Sequence, residues 1–251
     1  MDDIKEFNFN VNGFDIKSSY SQKTINKTFI PMLKKWTKMS KKKDERFIIF
    51  LAAPPAVGKT TLSLFLEYLS KNVEGVEEIQ AIGLDGFHFY ADYIKSHSIN
   101  INGNETPMSE VKGCLETFDI DKLIVKLKEL QKKNIKWPVY DRNIHDVVDE
   151  NIFVDKKIVI IEGNWLLSDE AKWSNLKDFC DYSIFVYADE NLLKSRLIER
   201  KMKGGLSHEE AVSFYKKSDR VNIRRVLKNH YSADLELIMD DNGDYVRLDF
   251  S

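Results

Sequence analysis

Cysteine is scarce in this chain: Cys114 and Cys180 are the only two among 251 residues, too few for a disulfide framework. A reducing compartment suits such a chain, so a cytoplasmic location is expected. The five histidines and two cysteines show no spacing suited to a zinc site. No run of eighteen apolar residues occurs, so neither a membrane-spanning helix nor a membrane partner is expected. The start, Met1-Asp2-Asp3-Ile4, is acidic and lacks the apolar stretch of a signal peptide. Charge of either sign is also not in excess: the formal net charge is −2. Without a basic stripe, nucleic acid is not an expected partner. Internal repeats, low-complexity linkers and a visible second domain boundary are missing too.

What remains is an ordinary globular composition, 43% hydrophobic and 31% charged, at a length suited to one α/β domain with insertions. Apolar runs at 47–52, 79–84, 158–161, 183–187 and 235–239 read as buried strands. Helical patterns at 60–71, 119–133, 189–203 and 207–229 lie between them. That alternation predicts a parallel sheet covered on both faces. Residues 1–20 are loosely patterned, and 21–40 read as a helix broken or bent at Pro31. The lysine-rich stretch from Lys34 to Lys43 reads as a solvated face, with a contribution to an anion's field as the sharper alternative. The segment between 85 and 157 is too long for a plain connection and is expected to be functional. Asp240-Asp241-Asn242-Gly243-Asp244 separates two apolar runs and reads as a hairpin turn.

The most informative residues are Ala53-Pro54-Pro55-Ala56-Val57-Gly58-Lys59-Thr60, between a strand pattern and a helix pattern. Strand, tight loop, Gly-Lys-Thr and helix form a cradle for a nucleotide triphosphate. Backbone N–H groups would face phosphate oxygens. Lys59 would reach the β- and γ-phosphates, and the Thr60 hydroxyl would hold Mg²⁺. Ala53, Ala56, Val57, Gly58, Lys59, Thr60 and Thr61 are thus the candidate ATP contacts. Ala53 replaces the usual first glycine, which is tolerable where φ is negative and the Cβ has room.

Ligands of an open parallel sheet sit beyond the carboxyl ends of its strands. The second strand runs into Asp85-Gly86-Phe87-His88. Asp85 there can take a hydroxyl proton, or merely cap a turn. The run Ile158–Ile161 ends in Glu162-Gly163, which makes Glu162 a candidate for Mg²⁺ or its water. Arg142, after Trp137-Pro138-Val139-Tyr140-Asp141, could hold an acceptor, pair with Asp85, or form a salt bridge with Asp141. Thr117 or Asp119 would cap the helix that follows. Arg196 and Arg200 share a helix face ahead of Gly204-Gly205, suited to a charged flap or to a plain helix stop. Asn222, Arg224 and Arg225 could reach the nucleotide or close that flap.

These motifs occur in one order: Gly58-Lys59-Thr60, Asp85-Gly86-Phe87-His88, Lys112-Gly113…Thr117-Phe118-Asp119, Tyr140-Asp141-Arg142, Ile161-Glu162-Gly163 and the arginine-rich 196–205 segment. Together they resemble the phosphoribulokinase/uridine kinase/pantothenate kinase family of P-loop kinases over about residues 46–240. The 112–119 segment and the Gly-Gly flap are most similar to a bacterial branch of nucleoside/nucleotide kinase-like or fructose-transport-associated kinases. The resemblance implies a three-layer α/β/α fold with a five-stranded parallel core sheet. It implies an N-terminal helical extension at 1–45 and a kinase domain at 46–251. The acceptor-binding insertion would span about 86–150 and the lid about 196–225.

The resemblance also implies ATP and Mg²⁺, and a small hydroxylated acceptor. It assigns Asp85, Lys59, Arg142, Arg196 and Arg200 to catalysis, with Arg200 also on the nucleotide. Thr60 and Glu162 would serve the metal. Asp85, His88, Lys112, Tyr140 and Arg142 would meet the acceptor. Asp85-Gly-Phe-His differs from the Asp-Ser-Phe-Tyr form of uridine kinases, which argues against uridine. Nucleoside, sugar and pantothenate-like acceptors stay open, as does a regulatory nucleotide binder without transfer activity. A homodimer is compatible with the sequence.

Overall fold

The computed structural model describes residues 3–11, 14–101 and 103–248. Met1 and Asp2 of the acidic start lie outside them. Strands β1 (Ile4–Val11) and β2 (Phe14–Ser21) form an antiparallel hairpin. Helix α1 follows over 22–40, continuous through a wider π turn at Ile25–Phe29. The expected N-terminal helical extension is therefore half sheet. The cause is a period of two: Phe7 and Phe9 face Phe65 at ring-centroid distances of 4.6 and 6.5 Å, with exposed Glu6 and Asn8 beside them. Pro31 does not break α1. It directly follows the π turn Ile25–Phe29, whose wider spacing accommodates a residue without an N–H inside the helix. The lysine stretch is partly structural, since Lys43 pairs with Asp181 at 2.7 Å.

Strand β3 (Phe47–Ala52) is buried at every position. Phe47, Ile49 and Leu51 join one apolar cluster, while Ile48, Phe50 and Ala52 join another on the opposite face. Helix α2 (Lys59–Asn72) covers the first face with Leu62, Phe65 and Leu66. After β4 (Ile79–Gly83) comes the long insertion. It holds α3 (Ala91–Ser96), the hairpin β5 (Ser98–Ile101) and β6 (Asn104–Pro107), helix α4 (Ile120–Lys132), and the hairpin β7 (Ile135–Asp141) and β8 (Asp146–Val154). Leu123, Leu127 and Leu130 form one stripe of α4 and cover the second face. Asp119 is its cap, accepting the Lys122 N–H at 2.9 Å. Thr117 instead accepts the Gly113 N–H at 3.0 Å.

The chain then forms β9 (Ile158–Gly163), β10 (Tyr182–Tyr187), α5 (Glu190–Lys203), α6 over 208–228, β11 (Leu235–Met239) and β12 (Tyr245–Arg247). The central sheet runs β12-β11-β10-β3-β9-β4, with every pairing parallel except β11 with β12. This is the expected three-layer α/β/α fold, and the 240–244 turn joins β11 to β12 as read. Strand β9 separates β3 from β4, so the carboxyl ends of all three face one cleft. Three segments meet there: the loop after β3, Asp85 after β4, and Glu162 within β9.

Candidate active site

The phosphate loop links β3 to α2. Ala53 is fully buried in the first apolar cluster. Positive φ falls instead at Ala56 (67°) and Gly58 (95°). Alanine at the motif's first position thus meets no left-handed backbone and fills core. At Gly58 an added Cβ would lie 3.2 Å from Thr61 Oγ1 and from Tyr245 Oη, so space and backbone both require glycine. Val57 is buried. Lys59 and Thr60 open α2, where first-turn N–H groups have no intrahelical acceptor. Thr61 donates its hydroxyl to the Gly58 carbonyl at 2.7 Å and braces the loop.

Thr60 Oγ1 donates to Glu162 Oε1 at 2.7 Å, and Lys59 Nζ lies 4.0 Å from Glu162 Oε2. Register sets Glu162 beside Leu51 and Gly83. A Cβ at Gly83 would touch Glu162 Oε1 at 3.4 Å, an ordinary van der Waals contact. Burial pushes the Glu162 carboxyl above its usual range; Lys59 opposes this and Asp85 reinforces it. A carboxyl raised in the folded state costs stability once ionised. That cost is absent below the unfolded pKa and fully present above the folded one. Glu162→Gln should therefore melt higher than wild type at neutral pH without ligand. The gap should close as pH falls below the ordinary carboxylate range, which thermal melts across pH would check.

Asp85 starts the turn Asp85–Phe87 and is exposed. Behind it, Trp137 Nε1 donates to the Gly83 carbonyl at 2.8 Å, which fixes β7 against the end of β4. A cavity of about 240 Å³ results. Thr60, Asp85, Tyr140, Arg142 and Glu162 form its polar side, while Leu64, Ile82, Pro138, Val139 and Ile152 form its apolar wall. Arg142 makes no ion pair with Asp141 among the described residues; Asp141 Oδ1 accepts the Asn143 N–H at 2.7 Å. Lost hydration, then the like charge of Arg142, lowers the Arg200 guanidinium, with Asp219 and Asp85 opposing. Although atoms crowd round it, Arg200 keeps an exposed face.

Other sequence candidates stand apart. Arg196 Nη1 faces the Ala56 carbonyl at 3.4 Å and Met239 Sδ at 3.0 Å, so it borders the phosphate loop rather than the cavity. Lys112 reaches the cavity only through Tyr140, donating to its hydroxyl at 2.7 Å with Nζ 4.4 Å from its ring centroid. His88 stacks on Phe118 at 3.8 Å, with Nδ1 3.2 Å from the Thr117 carbonyl. Burial lowers its imidazole pKa. It lies outside the cavity lining. Arg224 is engaged by Glu190, and Arg225 by both Glu116 and Glu170. Those two arginines tie helix α6 to its neighbours. Asn222 is buried.

Pro138, Val139 and Tyr140 of the cavity lining lie within the 86–150 segment expected to meet the acceptor, whereas Leu64, Ile82 and Ile152 lie outside it and were not anticipated. For a metal, no group of three His, Cys, Asp or Glu side chains converges among the described residues. Thr60 and Glu162 still offer adjacent hard oxygens. That fits Mg²⁺, which keeps waters and takes further oxygens from phosphate.

A family model described as the phosphoribulokinase/uridine kinase family matches residues 48–235. The chain belongs to this family. Its members are kinases. The chain is 38% identical over 236 residues to "Uncharacterized protein YggC" of Escherichia coli K12, covering 94% of this chain and 96% of that one. It is 29% identical over 203 residues to "Putative uridine kinase C227.14" of Schizosaccharomyces pombe, covering 78% and 84%. Among solved structures, a "putative fructose transport system kinase" from Silicibacter sp. TM1040 superposes with TM-score 0.71 at 25% identity, covering 83% of this chain and 98% of that one. The family match leaves the β1–β2 hairpin, α1, β12 and all of β11 but Leu235 outside its span.

Proposed function

We propose that this chain is an ATP-dependent kinase that transfers the γ-phosphoryl group to a hydroxyl of a small metabolite such as a nucleoside or sugar. One observation carries the reading: Asp85, Arg142, Thr60 and Glu162 share one cavity, and Lys59 lies 4.0 Å from Glu162. Backbone N–H groups of 57–60 and the Lys59 ammonium hold the phosphates. Thr60 and Glu162 would hold Mg²⁺, which when bound neutralises charge on the phosphoryl oxygens. Asp85 accepts the proton of the acceptor hydroxyl. Arg142 orients the acceptor. The apolar wall of β7 and β8 receives its carbon face.

Helices α5 and α6 act as the lid. Lys201 and Asp219 join them at 3.3 Å, and Arg200 carries positive charge toward the site. Closing the lid keeps water from competing with the acceptor. This chemistry suits a cytoplasmic enzyme with ATP and a small molecule as its partners.

The test is ATP-dependent ADP release with Mg²⁺ across nucleosides, sugars, pantothenate-like acids and no acceptor. One acceptor class should stimulate release, and Lys59→Ala should lower it about 10²- to 10³-fold. Release that ignores every acceptor and survives Lys59→Ala would overturn the proposal.

A further inference from the structure

The segments outside the family match converge behind the phosphate loop. Tyr245, on β12, is buried, and its hydroxyl donates to the Val57 carbonyl at 3.2 Å. One residue earlier, Arg196 Nη1 faces the Ala56 carbonyl at 3.4 Å. Successive carbonyls of the loop are thus held from behind by side chains remote in sequence. A trans peptide is planar, and its C=O and N–H point in opposite directions. Drawing the Ala56 and Val57 carbonyls backward therefore aims the Val57 and Gly58 N–H groups forward, toward the phosphate side.

The N-terminal hairpin holds Tyr245 in turn. Tyr20 stacks on Phe65 of α2 at 4.1 Å and lies 6.0 Å from the Tyr245 ring. Thr24 donates to Asp244 Oδ2 at 2.9 Å, and the Ser21 N–H reaches the same oxygen at 3.3 Å. Burial raises the Tyr245 hydroxyl well above its usual pKa, so it stays a donor at working pH.

We infer that Tyr245 is a positioning residue for ATP. Clamped by the two terminal hairpins, it presets the peptides of the phosphate loop, so that no reorganisation is needed when a polyphosphate binds. This rests on the ATP-binding reading above, and the test separates the two.

Titrate wild type, Tyr245→Phe and Tyr182→Phe with ATP·Mg²⁺ and with inorganic tripolyphosphate by calorimetry, and measure ligand-free melting for each. Phenylalanine keeps the ring packing of Tyr245, so the variant should fold. Tyr182 is a buried tyrosine of β10 whose hydroxyl meets Lys35 at 3.5 Å, which makes it the control for loss of a buried hydroxyl. The expected result is about tenfold weaker binding of both ligands in Tyr245→Phe, or about 1.4 kcal/mol, with Tyr182→Phe at wild-type affinity. The Gly58 amide should also exchange faster in Tyr245→Phe. A purely structural role would lower melting and leave affinity unchanged. Wild-type affinity in Tyr245→Phe would overturn the positioning role and leave the kinase reading standing. Failure of wild type to bind ATP would overturn that reading and this inference with it.

Discussion

Asp85→Asn should lower phosphoryl transfer about 10²- to 10⁴-fold, the range for loss of a general base. Affinity for ATP should stay within about twofold, because Asp85 follows β4, where we propose the acceptor binds, and the phosphate loop follows β3. Asparagine keeps the shape of the side chain and cannot take the acceptor's proton. A second consequence follows from the site's electrostatics. The Asp85 charge helps to raise the Glu162 carboxyl, so removing it should let Glu162 ionise at lower pH. Steady-state kinetics with ATP and acceptor varied separately, beside an ATP titration, would check both. Undiminished transfer would remove Asp85 from the mechanism.

Gly86→Ala should produce the largest loss of stability. A Cβ there would lie 2.2 Å from the Pro138 carbonyl oxygen, 2.4 Å from its carbon and 2.7 Å from the Val139 nitrogen. These are backbone atoms of β7 and cannot rotate away. Overpacking against side chains usually costs about 1–3 kcal/mol, and backbone contacts this close place the expected cost at about 3 kcal/mol or more. Relief requires β7 to move off the Asp85 turn. Pro138, Val139 and Tyr140 would then leave the cavity wall, so any folded fraction should show a raised KM for the acceptor. Urea unfolding of Gly86→Ala against wild type measures the first effect. A midpoint equal to wild type would show that β7 is not clamped there. Gly86 is thus needed for close approach, since its φ is not in the left-handed range, unlike that of Gly58.

The core of the fold was legible because its strands are buried on both faces. Runs such as Phe47–Ala52 and Ile158–Gly163 are apolar nearly throughout, and no other element type explains so short a run between helical patterns. The β1–β2 and β7–β8 hairpins were not legible. In β1 and β2 only one face is covered, so Phe7, Phe9 and Tyr20 alternate with polar residues that resemble loop. In β7 and β8 a Pro and a register shift between Trp137 and Val139 interrupt the alternation.

The polar half of the cavity was readable for a similar reason: Thr60, Asp85, Arg142 and Glu162, with Lys59 beside Glu162, each stand at or near a strand or helix end with a chemical reason to be there. The apolar half depends on how β7 and β8 fold back over β4, which no local pattern states. Arg196, Arg224 and Arg225 show the converse. Their charge suggested a phosphate, but a guanidinium engages whichever acceptor the packing brings, and here that is the Ala56 carbonyl, Glu190, or Glu116 and Glu170. The binding of Tyr245 to the loop joins positions 188 residues apart and has no local signature.

The central claim is that the phosphate loop and Asp85 serve one transfer reaction. Its most direct test is to give wild type and Asp85→Asn ATP labelled in the γ-phosphoryl group, with Mg²⁺ and a pool of hydroxylated metabolites, and to follow the label. We expect wild type to move it onto a small molecule and Asp85→Asn to leave it on ATP. Label appearing only as inorganic phosphate, at equal rates with both proteins, would contradict the account.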